Sequence, residues 1–214
     1  VQVFSNHAVS LDGRLNTREG RFCMLGSAAD HAMMSTLRSR ADAVLVGGAT
    51  FRNWPHPALP DAPDRASLAG RPYTVVVSRT MQVPVTPQFL AEPGFRPLFL
   101  TRAGAVPAGF TAEIEAYDGP GPDLPVAWML EQLRRRGVQR LLIEAGGDLL
   151  FQFLAADAVD EMFLTLCPLV IGGPAPALAA GAGFDLATMR RLRLLSSRAE
   201  GDELFLHYAL RRGA

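Results

Sequence analysis

Apolar residues in this chain gather in short dense runs, set apart by glycine, proline and small polar residues. The runs at 42–46 (Asp42-Ala43-Val44-Leu45-Val46) and 73–77 (Tyr73-Thr74-Val75-Val76-Val77) are almost unbroken and rich in valine. Apolar runs of this length, without alternation, suit central strands of a parallel sheet that is covered on both faces. Shorter or less regular runs at 1–9, 97–102, 112–116, 141–143 and 159–166 supply further strands. The stretches 190–198 and 203–211 instead alternate apolar with polar residues around Glu200-Gly201-Asp202, which predicts an antiparallel hairpin.

Helical spacing appears between these runs. Ser27 or Asp30 can cap a helix that continues through Arg38, with Met33, Met34 and Leu37 along its apolar stripe. A second helix, 124–136, puts Val126, Met129, Leu130 and Leu133 on one face. Its end, Arg134-Arg135-Arg136, complements the helix dipole as a solvated basic turn, and Gly137 stops it. A third, 149–154, follows the strand 141–143 through a glycine pair. The segments 53–70, 81–96 and 168–184 are rich in proline, glycine or alanine and predict long connections, the first a candidate lid. Together these elements predict an α/β fold: a mostly parallel central sheet flanked by helices, with an antiparallel C-terminal hairpin. No repeat or compositional break divides the chain, so 1–214 reads as a single domain.

The 214 residues are 49% hydrophobic and 20% charged, enough apolar material for a substantial core. A formal net charge of zero gives no broad basic field for nucleic acid or for an anionic membrane. No apolar run reaches membrane-spanning length and the N-terminus has no signal-peptide pattern, so a cytoplasmic protein is expected. Cys23 and Cys167 lie far apart with no Cys/His cluster, which predicts neither a disulfide framework nor a metal site. All 21 basic residues are arginine. That removes lysine Schiff-base chemistry and leaves arginine for any phosphate contact.

The candidate chemistry sits at strand ends. Glu144 closes the strand 141–143, and Ala145-Gly146-Gly147-Asp148-Leu149 leads into a helix. Glycine lets a ligand approach the backbone, and the first N–H groups of a helix attract an anion. The other reading is a tight turn beside a solvated acid. Gly47-Gly48-Ala49-Thr50 repeats the strand–glycine–helix junction, with Thr50 as cap or phosphate ligand. Ser78-Arg79-Thr80 follows the strand 73–77 with two hydroxyls and a guanidinium, a set suited to a phosphate monoester or simply a polar turn. Asp12-Gly13-Arg14 is a turn at the end of the first strand, where a carboxylate can face a pocket. No G-x-G-x-x-G, lysine P-loop or G-x-S-x-G motif is present. Strand ends carrying glycine, hydroxyl or arginine fit one long anionic ligand, such as a phosphorylated dinucleotide. Its diphosphate would lie over Gly146-Gly147 and its 2′-phosphate near Ser78-Arg79-Thr80.

Four segments carry a family resemblance. They are Val9-Ser10-Leu11-Asp12-Gly13-Arg14, the stretch from Leu37-Arg38 through Ala41-Asp42-Ala43-Val44-Leu45-Val46-Gly47-Gly48-Ala49-Thr50, Ile143-Glu144-Ala145-Gly146-Gly147, and Val159-Asp160-Glu161 through Pro168-Leu169-Val170-Ile171-Gly172-Gly173. In this order the chain resembles the dihydrofolate reductase-like superfamily, and within it the pyrimidine reductases of riboflavin biosynthesis, as a stand-alone reductase domain without the fused deaminase.

The resemblance implies an NADPH-dependent reductase acting on a phosphorylated ribosylaminopyrimidine, 5-amino-6-(5-phosphoribosylamino)uracil or a close relative. It implies cofactor contacts at Gly47, Thr50, Ser78, Arg79, Thr80, Ala145, Gly146, Gly147, Asp148 and Leu149. It places Arg14 and Arg38 on the substrate side, Asp12 or Glu144 as the acid, and a homodimer as the assembly; Trp54 is a candidate to stack on a planar ring. A cis peptide is expected at Ala145-Gly146 or Gly146-Gly147. One segment departs from the family. Its Asp-x-Pro-x-Leu and following arginine are replaced by Asn53-Trp54-Pro55-His56-Pro57-Ala58-Leu59, with the next arginine at Arg65. That departure keeps two alternatives in view: a reductase of the same fold with another substrate, such as a pterin, and a dinucleotide-binding protein without catalysis.

Overall fold

A computed structural model describes residues 1–21 and 23–211. In chain order the strands and helices are β1 (Gln2–Ser10), α1 (Ala28–Ser39), β2 (Ala43–Gly47), α2 (Gly48–Asn53), α3 (Ala62–Arg65), β3 (Tyr73–Val77), α4 (Pro87–Ala91), β4 (Arg96–Arg102), β5 (Glu113–Tyr117), α5 (Val126–Arg135), β6 (Arg140–Ile143), α6 (Gly147–Ala155), β7 (Glu161–Cys167), β8 (Leu192–Glu200) and β9 (Glu203–Leu210). They fall into two compact units, one of Val1 with Ser35–Ala145, the other of Gln2–Met34 with Gly146–Ala214.

The first unit holds five strands in the order β5-β4-β3-β2-β6, every neighbouring pair parallel. Its two valine-rich strands behave as their composition predicts: all of β3 and all but the last residue of β2 are buried. On one face Val46, Val76 and Phe99 project from neighbouring strands, and Phe51, Phe89, Phe95, Leu59 and Met81 complete the cluster. The rings meet edge to face, Phe51 on Phe89 at 4.9 Å and Phe89 on Phe95 at 5.1 Å, the geometry the ring quadrupole favours. Helix α5 buries Val126, Met129, Gln132 and Leu133, one stripe at helical spacing.

Two of the expected connections contain short helices, α3 within 53–70 and α4 within 81–96. Helix α4 starts where Thr86 accepts a hydrogen bond from the Phe89 N–H at 3.1 Å and Pro87 presets the first turn. The basic end of α5 is not uniformly solvated either. Arg136 reaches Glu113 at 2.7 Å and Glu115 at 2.6 Å on β5, while Arg134 and Arg135 pair with Glu131. Those two partners hold the Glu131 carboxyl down at about 2.

In the second unit β1 runs parallel to β7, and β7, β9 and β8 follow as an antiparallel set. The predicted hairpin is therefore present, turning at Gly201 with φ 59° and carrying a bulge between Leu194 and Ser196. A long strap after β7 (168–184) crosses back over this unit. It is tied by Leu11 N–H to Leu169 O (2.8 Å), Leu15 N–H to Pro176 O (2.8 Å), Leu178 N–H to Gly13 O (3.0 Å) and Ala180 N–H to Gly147 O (3.1 Å). A stretch that reads as a loose Gly/Ala/Pro connection is a fastened one.

Candidate functional site

Glu144 and Arg38 meet at the C-terminal end of β6 in the first unit. Arg38, on α1, donates from Nε to Oε1 at 3.0 Å and from Nη2 to Oε2 at 2.6 Å, with Nε also 3.1 Å from Oε2. Its Nη1 donates to the carbonyl of Leu59 at 3.1 Å. The two side chains keep only 17% and 11% of their surface exposed. Burial works against the Arg38 charge, but the adjacent Glu144 carboxylate outweighs it and raises the guanidinium above its ordinary value. Glu144 thus sits with both oxygens accepting. A carboxylate offers about four lone-pair sites, so one further donor can still be received.

The loop that supplies Leu59 is itself pinned. Ala58 N–H donates to Thr74 Oγ1 at 3.0 Å, Asp61 N–H to Ser35 Oγ at 2.8 Å, and Ser35 Oγ to Asp64 at 2.5 Å. The Pro57-Ala58-Leu59 segment is therefore the fixed rest on which Arg38 is held, and Ala58 and Leu59 are buried. Trp54 lies outside it, half exposed, its ring 4.5 Å from that of His56. Ser35, Thr74, Asp61 and Asp64 carry no motif that would single them out in the sequence.

Two junctions of the first unit adjoin. A Cβ on Gly48 would come within 3.2 Å of the Ser78 side chain, so the missing Cβ is what lets the start of α2 lie against the end of β3. Ser78 is buried, whereas Arg79 and Thr80 are exposed. Arg79 has a partner the sequence did not suggest, Asp123, at 2.8 Å. Thr50 is half-buried on the first turn of α2.

In the second unit the Asp12 carboxylate accepts from Ser10 Oγ at 2.7 Å and from the N–H groups of Ile171 at 3.0 Å and Gly172 at 2.7 Å. The Ile171 amide first, and the Ser10 hydroxyl next, hold its carboxyl well below the usual range. An acid held ionised so firmly suits a clamp better than a proton donor. Arg14 is engaged with the same strap, donating from Nη1 to Ala175 O at 2.9 Å, with Nε 3.6 Å from Asp12.

The paired glycines do different work. A Cβ at Gly147 would stand 2.1 Å from Ala177 O, so that position is filled by the strap. A Cβ at Gly146 would meet nothing within 4 Å, and its φ of −64° is ordinary. Leu149 and Leu150 both donate to Gly146 O, and the helix ladder supplies no acceptor for the N–H groups of Gly147 and Asp148. The side chains of Ala145 and Leu149 are buried in the core, which leaves them only backbone atoms for a ligand, while Asp148 is exposed. Every described peptide bond is trans, so the expected cis bond at this turn is absent. Among the described residues no group of three or more His, Cys, Asp or Glu could hold a metal ion.

These strand ends carry backbone N–H groups and guanidinium groups that could receive an anion. The model of the RibD C-terminal domain matches residues 1–206. The chain belongs to that family. It is 28% identical to the 2,5-diamino-6-ribosylamino-4(3H)-pyrimidinone 5′-phosphate reductase of Methanothermobacter thermautotrophicus, over 98% of each chain. The reductase of the same name from Archaeoglobus fulgidus is also 28% identical, over 85% of this chain and 87% of its own. Among solved structures, Acinetobacter baumannii RibD superposes with a TM-score of 0.81 at 22% identity, covering 99% of this chain and 58% of that one. A pyrimidine reductase-like protein of Corynebacterium diphtheriae gives 0.77 at 20%, covering 99% and 92%. This chain thus spans little more than half of the Acinetobacter RibD chain and most or nearly all of the two pyrimidinone phosphate reductases. The trans turn is no bar to membership of the RibD family.

Proposed function

We propose that the chain is an NADPH-dependent reductase of riboflavin biosynthesis that acts on a ribosylaminopyrimidine 5′-phosphate, either 2,5-diamino-6-ribosylamino-4(3H)-pyrimidinone 5′-phosphate or 5-amino-6-(5-phosphoribosylamino)uracil. The observation that carries this reading is the end-to-end correspondence with the Methanothermobacter reductase, 98% of both chains. The family model runs through both compact units, which supports one reductase domain built from the two.

The cofactor assignment rests on fit. Gly146 leaves open space where a side chain would stand, next to the N–H groups that start α6, and this suits a diphosphate. Ser78, Arg79 and Thr80 suit the phosphate on the adenosine ribose. NADPH, when bound, supplies the hydride. Reduction at C1′ of the ribosylamine breaks the C1′–O4′ bond, with hydride added to C1′ and a proton to O4′, giving the ribitylamino product. Glu144 is the carboxylate we assign to that proton. Its one remaining acceptor site would hold a water beside O4′ through which a proton from bulk solvent is relayed, while Arg38 fixes the carboxylate's position. Asp12 is assigned to holding the strap, and Arg14, beside it, to the substrate's edge.

The exposed Leu192, Leu194, Leu195 and Leu204 on the hairpin support a homodimer formed through that sheet. Among the described residues no helix is long and apolar enough to cross a membrane. The decisive test follows NADPH oxidation with each of the two pyrimidine phosphates and with dihydrofolate. Turnover of a pyrimidine phosphate is expected. Turnover of dihydrofolate alone would redirect the substrate, and none with any of the three would leave a binding protein.

A further inference from the structure

The loop after β5 is built to deliver a carboxylate. Arg102 Nη2 donates to Gly119 O at 2.7 Å, and the same guanidinium lies 5.1 Å from the Tyr117 ring. Gly119 has no room for a side chain, since a Cβ would sit 2.1 Å from the Tyr117 hydroxyl. Tyr117 in turn rests 5.4 Å from the ring of Trp128 on α5. The loop closes at Leu124, which is buried. From this footing Asp123 reaches Arg79 at 2.8 Å, both side chains remaining solvent-accessible at 51% and 62%.

Dinucleotide sites discriminate at the 2′ position of the adenosine ribose with two kinds of side chain. An acid accepts a hydrogen bond from the free 2′-hydroxyl, and an arginine accommodates the 2′-phosphate. Here one of each is present, in contact. Resting on the reading above of Ser78–Thr80 as the ribose-phosphate seat, we propose that Asp123 and Arg79 read the 2′ position as a pair, so that Asp123 sets the preference between NADPH and NADH. A 2′-phosphate must displace Asp123 from Arg79 and then bears its negative charge nearby. A free 2′-hydroxyl leaves the ion pair intact and donates to the Asp123 carboxylate. The pair therefore narrows a preference for NADPH that a lone arginine would widen.

Dissociation constants for NADPH and NADH, read from nicotinamide fluorescence, test this in the wild type, Asp123→Asn and Arg79→Ala. Both positions are exposed, and unchanged thermal midpoints confirm intact folding. Exposed ion pairs of this kind are worth about 1.4- to 5-fold in an equilibrium. Asp123→Asn is expected to tighten NADPH about 2- to 5-fold and to weaken NADH. Arg79→Ala is expected to weaken NADPH and to leave NADH nearly unchanged. If Arg79→Ala weakens NADPH but Asp123→Asn leaves the NADPH-to-NADH ratio alone, the seat stands and the role of Asp123 is overturned. If Arg79→Ala changes neither constant, or the wild type binds neither dinucleotide, the seat itself is misplaced and the proposal falls with it.

Discussion

Removing Glu144 leaves the Arg38 guanidinium with Leu59 O as its hydrogen-bond acceptor and the charge of Asp61 as its remaining electrostatic partner, in a place where only 17% of its side-chain surface meets solvent. Breaking a buried pair by deleting one member costs about 3–5 kcal/mol, mainly as the penalty of a stranded charge. This pair is mostly rather than wholly buried, so the lower end applies, about 3 kcal/mol. A chain of this size shifts its melting midpoint by about 2–4 °C per kcal/mol, so Glu144→Ala should lose roughly 6–12 °C. Replacing both members with apolar residues of similar length, Arg38→Met with Glu144→Leu, removes the charge that would be stranded and should recover most of the loss. Differential scanning fluorimetry on the two single variants and the double variant gives the coupling directly. Steady-state turnover on the same samples separates structure from chemistry, because the double variant should be folded and inactive. A loss under 2 °C for Glu144→Ala would refute the stranded-charge argument. A stable double variant that still reduces substrate would reduce the pair to a structural brace and send the search for the proton donor elsewhere.

Two further outcomes follow from the strap. Gly147→Ala forces a methyl group against Ala177 O and should cost about 1–3 kcal/mol, the usual range for overpacking, whereas Gly146→Ala meets open space and should leave the midpoint within about 1 °C. If the diphosphate approaches at Gly146, that silent substitution is the one that weakens cofactor binding in a titration; unchanged affinity would place the diphosphate elsewhere. Asp12 has a folded-state pKa depressed below the 3.8 of an ordinary aspartate, so its stabilisation is complete above about pH 4 and fades as pH falls toward the lowered value. Asp12→Asn should therefore be less stable than wild type at neutral pH, with the gap closing below pH 4. A gap that instead widened on acidification would contradict the clamp.

How much of this was legible in the sequence depended on how far apart the interacting residues lie. Strands β2 and β3 declare themselves, because burial on both faces writes a continuous apolar run that needs no knowledge of neighbours. The hairpin is equally local and turns at Gly201, although β8 is exposed along its whole length and shows no alternating burial. Helices α3 and α4 were hidden because four and five residues are too few to show a period, although the Thr86-Pro87 start of α4 was there to see. Long-range pairs had no local signature at all. Glu144 lies 106 positions from Arg38, and Asp12 lies 159 from Ile171. Composition cannot say that the first acid is held by a guanidinium while the second is held by a hydroxyl and two backbone amides.

The Glu144-Ala145-Gly146-Gly147 turn shows the same limit within four residues. In sequence the two glycines are equivalent, each a position where a missing Cβ admits something close. What is admitted differs: at Gly147 it is the protein's own strap, and at Gly146 it is open space. The difference comes from Ala177, thirty positions downstream, whose own place follows from hydrogen bonds that Gly13, Leu15 and Gly147 make with its neighbours Leu178, Pro176 and Ala180. A ligand-binding turn and a packing turn are therefore not competing descriptions of one motif. The strap fixes Gly147, and with it the direction of α6, so that the N–H groups beside Gly146 are held in position. If the diphosphate lies at Gly146 as proposed, that preorganisation would make the strap, and the Asp12 clamp at its root, part of the site's function without either needing to touch the reacting atoms.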